Sequence, residues 1–362
     1  MSTQAPARLG TTDRLLPVWI IAAMASGLLL AVFAPAVGKF LHAFTIGSVS
    51  VPIAVGLLVM MYPVLAKVQY SDAGAVARDR TLMISSLVMN WLVGPALMFT
   101  LAWIFLPDLP EYRTGLIIVG LARCIAMVMI WNDLACGDRE AAAFLVAINS
   151  VFQVGAFGAL GWFYLQVLPS WLGLPTTSVE FSFWAITLSV IVFLGIPLLA
   201  GYLSRRIGEK TRGRDWYEQK FLPRISPLAV GGLLLTIVML FALQGQQVID
   251  RPWDVARIAL PLLAYFVVTF LLGFGLGRLV GLGYERTATL AFTAAGNNFE
   301  LAIAVAIGTF GATSGQALAG IVGPLIEVPV LVALVYVSLW LRGRLFRASA
   351  DTPAPLTEKV AS

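Results

Sequence analysis

Histidine occurs once in this chain, at His42. That excludes a metal site built from several imidazoles and a histidine proton relay. Cysteine occurs twice, at Cys124 and Cys136, so no disulfide framework can staple the fold. Charge is scarce as well. Asp, Glu, Lys and Arg make up 12% of the 362 residues, where a soluble chain carries about 25%. The stretch Gly208-Glu209-Lys210-Thr211 lacks both the Gly directly before the Lys and the Gly-rich lead-in of a phosphate loop. ATP hydrolysis by this chain is not expected, and neither is a resident metal or other cofactor. The formal net charge of +5 is no nucleic-acid signal, because the basic residues lie in short loops where membrane topology explains them.

What the chain has in abundance is apolar sequence, 59% of its residues. Runs long enough to cross a bilayer, about 20 residues each, fall at 15–35, 46–66, 82–106, 115–136, 142–168, 181–204, 225–244, 258–280, 287–310 and 317–341. The expected fold is an all-α integral membrane protein with ten transmembrane helices. Residues 1–14 and 342–362 are polar tails.

Charge orients this arrangement. Of the 24 Lys and Arg, all but Lys39, Arg113, Arg251, Arg257 and the mid-span Arg123 fall in the tails or in loops on the side of the tails. Positive charge marks the cytoplasmic side, so both termini are expected there. The outside loop 169–180 divides the chain into 15–168 and 181–341, and the basic segment 205–224 lies within the second of these. Each half holds an odd number of spans, which forces the halves into opposite orientations. Inverted repeats of this kind are common in secondary transporters.

The fourth span of each half is interrupted by polar residues. The first reads GLARCIAMVMIWNDLACGD, with Arg123, Cys124, Asn132 and Asp133. The second reads TAAGNNFELAIAVAIG, with Gly296, Asn297, Asn298 and Glu300. Matching broken segments are the best sequence pointer to a transporter's binding site, and unwound backbone is tolerated at that depth only beside protein or a water-filled cavity. Two broken helices crossing near the midplane are therefore expected. Asn side chains can satisfy the backbone groups a break leaves free.

An ionised Glu300 near mid-membrane costs several kcal/mol unless paired or hydrated. It reads as a proton carrier, or more plainly as the partner of Arg123 in a salt bridge. Cys124 reads as a soft ligand beside a cation that favours thiolate, or as a small packing residue. Glu327, between Pro324 and Pro329, either pairs with Arg123 or lines a cavity. Asn90, Asn149 and Gln153 are expected to bond between helices, Gly273, Gly277 and Gly281 to seat a neighbouring helix, and Trp19, Trp91 and Trp340 to mark the interfaces. Cys136 is expected to be a bystander.

The runs LLVMMYPVLAKVQY, NWLVGPALMF, LARCIAMVMIWNDLACGDRE, AAGNNFELAIAVAIG and PLIEVPVLVALVYVSLW resemble those of arsenite efflux permeases, the arsenical-resistance antiporters of the yeast and bacterial type. These belong to the bile acid/arsenite/riboflavin transporter superfamily. The resemblance spans about residues 15–345. It implies inverted five-helix repeats with crossed, broken fourth and ninth helices, a transport cysteine at Cys124 and an essential glutamate at Glu300. Arg123, Asn297 and Asn298 would complete the substrate site, with Asn132, Thr293 and Glu327 in support. Sodium-coupled relatives carry a glutamate earlier in the ninth span, where this chain has Thr293, and that departure argues against a sodium site of the bile-acid type. The implied activity is export of arsenite, with antimonite as a second candidate cargo, in exchange for protons across the inner membrane. An ATPase partner is not required. The competing expectation is a sodium-coupled organic anion symporter of the same fold. An enzyme is not expected, since one His leaves little for a nucleophile–base pair.

Overall fold

Backbone inside a bilayer finds no water to bond, so it satisfies its own amides in helices or closed barrels. This chain takes the helical route. The structure, a computed structural model, describes residues 15–46, 49–67, 79–125, 127–175, 183–311 and 313–346. The expected tail 1–14, residues 347–362 of the other tail and residues 176–180 of the 169–180 loop lie outside the described residues.

Helix α1, Leu16–Phe33, stops at Ala34, and α2, Pro35–Ala43, starts on a proline. Proline is well placed in a first turn because its missing N–H would have been unpaired there. The two helices bend by 100°. A two-residue hairpin, β1 (Thr45–Ile46) with β2 (Val49–Ser50), leads into α3, Val51–Ala66. The apolar run read as beginning at residue 46 thus enters its helix only at Val51.

Helix α4 spans Arg80–Phe105, with Asp79 capping its start. Two shorter helices follow, α5 at Pro110–Leu121 and α6 at Met127–Leu134. Asp138 caps α7, Arg139–Trp171. Helix α8 runs from Phe183–Val190 through a π turn at Ile191–Gly195 into Ile196–Arg212. Gly213, at φ 88°, makes the one reversal that only glycine accepts readily. Helix α9 then begins at Arg214 and continues to Asp250. The segment 205–224, read as a loop, is therefore helical apart from Gly213. Its basic residues have the composition of a loop, but a polar helix face carries the same residues. Helix α10 is Pro252–Leu279, α11 Tyr284–Ala295, α12 Phe299–Phe310 and α13 Gly315–Leu345.

Among the described residues, six helices are long and apolar enough to cross a membrane, or seven if α1 and α2 count as one bent span. With α3 and α12 as shorter apolar helices, this is a multi-pass, all-helical membrane protein.

The helices pack in two groups. Helix α9 lies along α1 and α3, and the later part of α8 joins them. Here small residues allow close approach. A methyl group at Gly27 would meet Phe241 Cβ at 2.5 Å, and one at Gly232 would meet Met60 at 3.0 Å. The second group holds α4 to α7 and α10 to α13, with α13 against α5, α10 and α12. Gly273 and Gly277 seat Ala291 and Thr287 of α11, as expected of helix-packing glycines. Gly281 instead takes φ 79° in the turn after α10. Trp91 is buried and donates to Asn149 Oδ1 at 3.0 Å, so it bonds a neighbouring helix rather than marking an interface. Trp19 and Trp340 are exposed.

Candidate functional site

Helix α5 ends at Leu121 and α6 begins at Met127; α11 ends at Ala295 and α12 begins at Phe299. The chain is extended at Ala122 and at Gly296, and the gaps cross. Arg123 and Asn297 face each other in an antiparallel bridge. The Cys124 N–H donates to Gly296 O at 3.4 Å and the Asn298 N–H donates to Ala122 O at 3.0 Å. The two polar interruptions read from sequence are brought to one point.

Arg123 is fully buried, but it forms no ion pair among the described residues. Its guanidinium donates to Tyr265 Oη at 2.9 Å, to Ala294 O at 3.4 Å and to Gly120 O. The last two carbonyls belong to the closing turns of α11 and α5. The cation therefore sits at the C-terminal ends of two half-helices, where their dipoles are negative. The salt bridges of Arg123 that were the plainer readings of Glu300 and Glu327 are both absent among the described residues. Backbone carbonyls and a phenol take the place of a carboxylate.

The negative groups gather at the opposite dipole ends. Glu300 lies in the first turn of α12, whose N-cap Asn298 accepts from the Leu301 N–H at 3.0 Å. Cys124 Sγ accepts from the Val128 N–H at 3.3 Å in the first turn of α6. The carboxylates of Glu327 and Glu300 act electrostatically on this thiol, along with the amides of Val128 and Met127. The Arg123 guanidinium and the Cys124 thiol leave the crossing in different directions, as adjacent residues in extended chain do.

Asn297 Nδ2 donates to Val119 O at 2.6 Å, and the Asn297 N–H donates to Glu327 Oε1 at 3.2 Å. Both Asn residues thus satisfy or extend the broken backbone as expected. Glu327 is 1% exposed, and its Oε2 has no partner. Gln153 closes the other side of the crossing. Its Oε1 accepts from the Arg123 N–H at 2.8 Å and its Nε2 donates to Arg123 O at 3.1 Å.

A small cavity of about 20 Å³ lies between the two helix groups. Glu300 and Glu327 line it on one side with Met127 and Phe299; Thr236, Ile237 and Phe241 of α9 line it on the other. Arg123, Cys124, Asn297 and Asn298 are not among its lining residues. They stand at the crossing, while the two carboxylates reach the cavity.

The supporting residues divide. Asn132 Oδ1 accepts from Thr289 Oγ1 at 2.7 Å, tying α6 to α11. Thr293 spends its hydroxyl on Thr289 O and Leu290 O of its own helix. Asn90 bonds Ser86 within its own helix and is not interhelical. Cys136 is exposed, in the left-handed conformation at φ 54°. Gln153 and Tyr265 are the crossing partners that sequence reasoning did not assign to the site. Their signal was weak, since a polar side chain within an apolar helix does not name its partner. The apolar cavity wall gave no signal at all.

Ion pairs fix the ends of the second group. Arg286 bonds Asp79 at 2.5 Å and Asp138 at 3.3 Å, joining α11 to the starts of α4 and α7. In the connection between α4 and α5, the Arg257 guanidinium hydrogen-bonded to Asp108 lowers that carboxyl's pKa to about 2.

Comparison with known proteins fits this geometry. Residues 54–251 match the model of the sodium bile acid symporter family. The chain is 64% identical over 349 residues to the arsenical-resistance protein Acr3 of Corynebacterium glutamicum, covering 96% of this chain and 94% of that protein. It is 36% identical over 346 residues to an uncharacterized transporter of Synechocystis, covering 90% and 88%. It is 32% identical over 340 residues to the Acr3 arsenical-resistance protein of Alkaliphilus metalliredigens, covering 91% and 93%. Broken crossing helices, a cavity between two helix groups and these identities agree: the chain belongs to the sodium bile acid symporter family, among the Acr3 arsenical-resistance proteins.

Proposed function

We propose that the chain exports arsenite from the cytoplasm in exchange for protons and so confers arsenic resistance, with antimonite as a second cargo. One observation carries this reading. A single buried thiol stands with two carboxylates, neither in an ion pair among the described residues, where two helices break, in a chain 64% identical to a protein named for arsenical resistance.

Arsenite is a neutral trihydroxide near neutral pH, and trivalent arsenic is soft, so it prefers sulfur to oxygen. A sulfur–arsenic bond forms at Cys124 as one arsenic–oxygen bond breaks. The displaced hydroxyl leaves as water with the thiol's proton. The reverse exchange frees the cargo. One thiol grips and releases, whereas several would trap. Ionised Glu300 accepts a hydrogen bond from a remaining arsenic hydroxyl. Among the described residues no cation pairs with this carboxylate, and a proton is the partner that would neutralise it. Protonation from outside removes the acceptor and releases the cargo, and the protonated carrier returns.

One charge moving through 100 mV supplies about 2.3 kcal/mol, enough for a gradient of about fiftyfold. No ATPase partner is needed. The ten spans then form two inverted repeats, α5 with α6 and α11 with α12 being the broken fourth and ninth, and both termini lie in the cytoplasm beneath the inner membrane. The description of the matching family favours a second reading, a sodium-coupled symporter of an organic anion. Everted vesicles separate the two. Arsenite uptake that follows the proton gradient and ignores sodium supports the proposal. Arsenite uptake that needs sodium, or none at all, rejects it.

A further inference from the structure

In an antiparallel pair without mutual hydrogen bonds, the N–H and C=O of both residues point away from the partner strand. Arg123 and Asn297 form such a pair: the bonds of the crossing run from Cys124 to Gly296 and from Asn298 to Ala122. The outward backbone groups of Arg123 are buried with the residue and need partners of their own. Gln153 supplies both, its Oε1 taking the N–H at 2.8 Å and its Nε2 giving to the C=O at 3.1 Å. A side-chain amide on α7 thus takes the place of a third strand. Gln153 is itself fully buried, so neither bond is traded with solvent.

We propose that Gln153 is a positioning residue of the transport site. It clamps the backbone of Arg123 and thereby sets where the adjacent Cys124 thiol stands relative to Glu300 and Glu327. The inference goes beyond the arsenite reading and depends on it only for its transport readout. The thiol's place is fixed through one peptide unit, because Cys124 shares its amide plane with Arg123 O. Releasing that carbonyl lets the plane rotate, and the thiol turns with it.

Carboxylic acid chemistry gives the test a readout that mere loss of structure would not. A protonated carboxyl has one acceptor and one donor in nearly the geometry of the Gln amide. Gln153→Glu therefore restores the clamp when protonated. When ionised it keeps the acceptor for the N–H but sets an oxygen against Arg123 O. Arsenite uptake would be measured in everted vesicles across pH 5.5 to 8, as the ratio of variant to unaltered chain at equal membrane content. Titrations common to both chains divide out of this ratio. The ratio should rise at least fivefold from the alkaline to the acid end; a flat ratio overturns the proposal. Gln153→Leu removes both bonds and should show a low ratio at every pH; normal uptake by that variant also overturns it.

A second measurement needs no cargo. In a Cys136→Ser background, the labelling rate of Cys124 by a permeant maleimide should rise several-fold on Gln153→Leu. A rate within twofold of the starting chain overturns the positioning role. If the unaltered chain fails to carry arsenite, the function proposed above is wrong, while the labelling result still judges the clamp.

Discussion

The first break carries its charge inside the gap, at Arg123, whereas the second carries its charge just past the gap, at Glu300 in the first turn of α12. The outer edges differ as well. Gln153, a neutral amide, holds both backbone groups of Arg123, while Glu327, a carboxylate, holds the N–H of Asn297. The first break is thus tied by a neutral amide, and the second by a carboxylate. The cation needs no counter-ion because two helix C-termini face it. This division leaves Glu300 unpaired and available, which an Arg123–Glu300 salt bridge would have prevented.

The comparison is broken most completely by removing the thiol that the proposed function uses as its soft ligand. Cys124→Ser keeps the volume and loses the sulfur, so arsenite resistance in cells should vanish while the chain still inserts. Normal resistance in that variant would mean that arsenite is carried by hydrogen bonds alone.

A smaller effect should come from the support of the second break. A methyl group at Gly323 of α13 would lie 1.6 Å from Phe299 Cε1, and Phe299 is the residue that starts α12. Overpacking of this kind costs about 1 to 3 kcal/mol. Gly323→Ala should lower the melting temperature and slow transport by shifting the start of α12, on which Glu300 sits. Unchanged melting and transport would show that α12 tolerates displacement there.

Much of the crossing was legible in the sequence because bilayer depth makes polar residues conspicuous. Asn297, Asn298, Glu300, Arg123 and Cys124 stood out against apolar neighbours, and the structure brings both breaks together. Their pairing was not legible. Spacing places Arg123 and Glu300 at similar depth, but which way a side chain leaves an extended segment depends on the bridge, which joins residues far apart in sequence. Trp91, Asn90 and Gly281 show the same limit at smaller scale. Composition fits an interface tryptophan, an interhelical amide and a packing glycine, but Trp91 bonds a neighbouring helix, Asn90 bonds its own, and Gly281 makes a turn. The bend between α1 and α2 and the helical state of 205–224 escaped for another reason. A polar helix end and a loop share one composition.

The least effect belongs to the second thiol. Cys136 is exposed beyond the end of α6, away from the crossing, so Cys136→Ser should leave arsenite uptake within about twofold of the unaltered chain, less than the loss of a single neutral hydrogen bond often causes. A tenfold fall would assign the transport chemistry to two thiols instead of one.

The central claim is that the unpaired carboxylate of the second break exchanges a proton for cargo. Arsenite accumulation in everted vesicles, driven by an imposed proton gradient, tests it in the Glu300→Gln variant. The amide mimics the protonated state and cannot cycle. The account predicts an inserted, folded chain with no gradient-driven accumulation, and partial activity in Glu300→Asp, whose charge remains but reaches less far. Full gradient-driven accumulation by Glu300→Gln would contradict it and move the proton to Glu327.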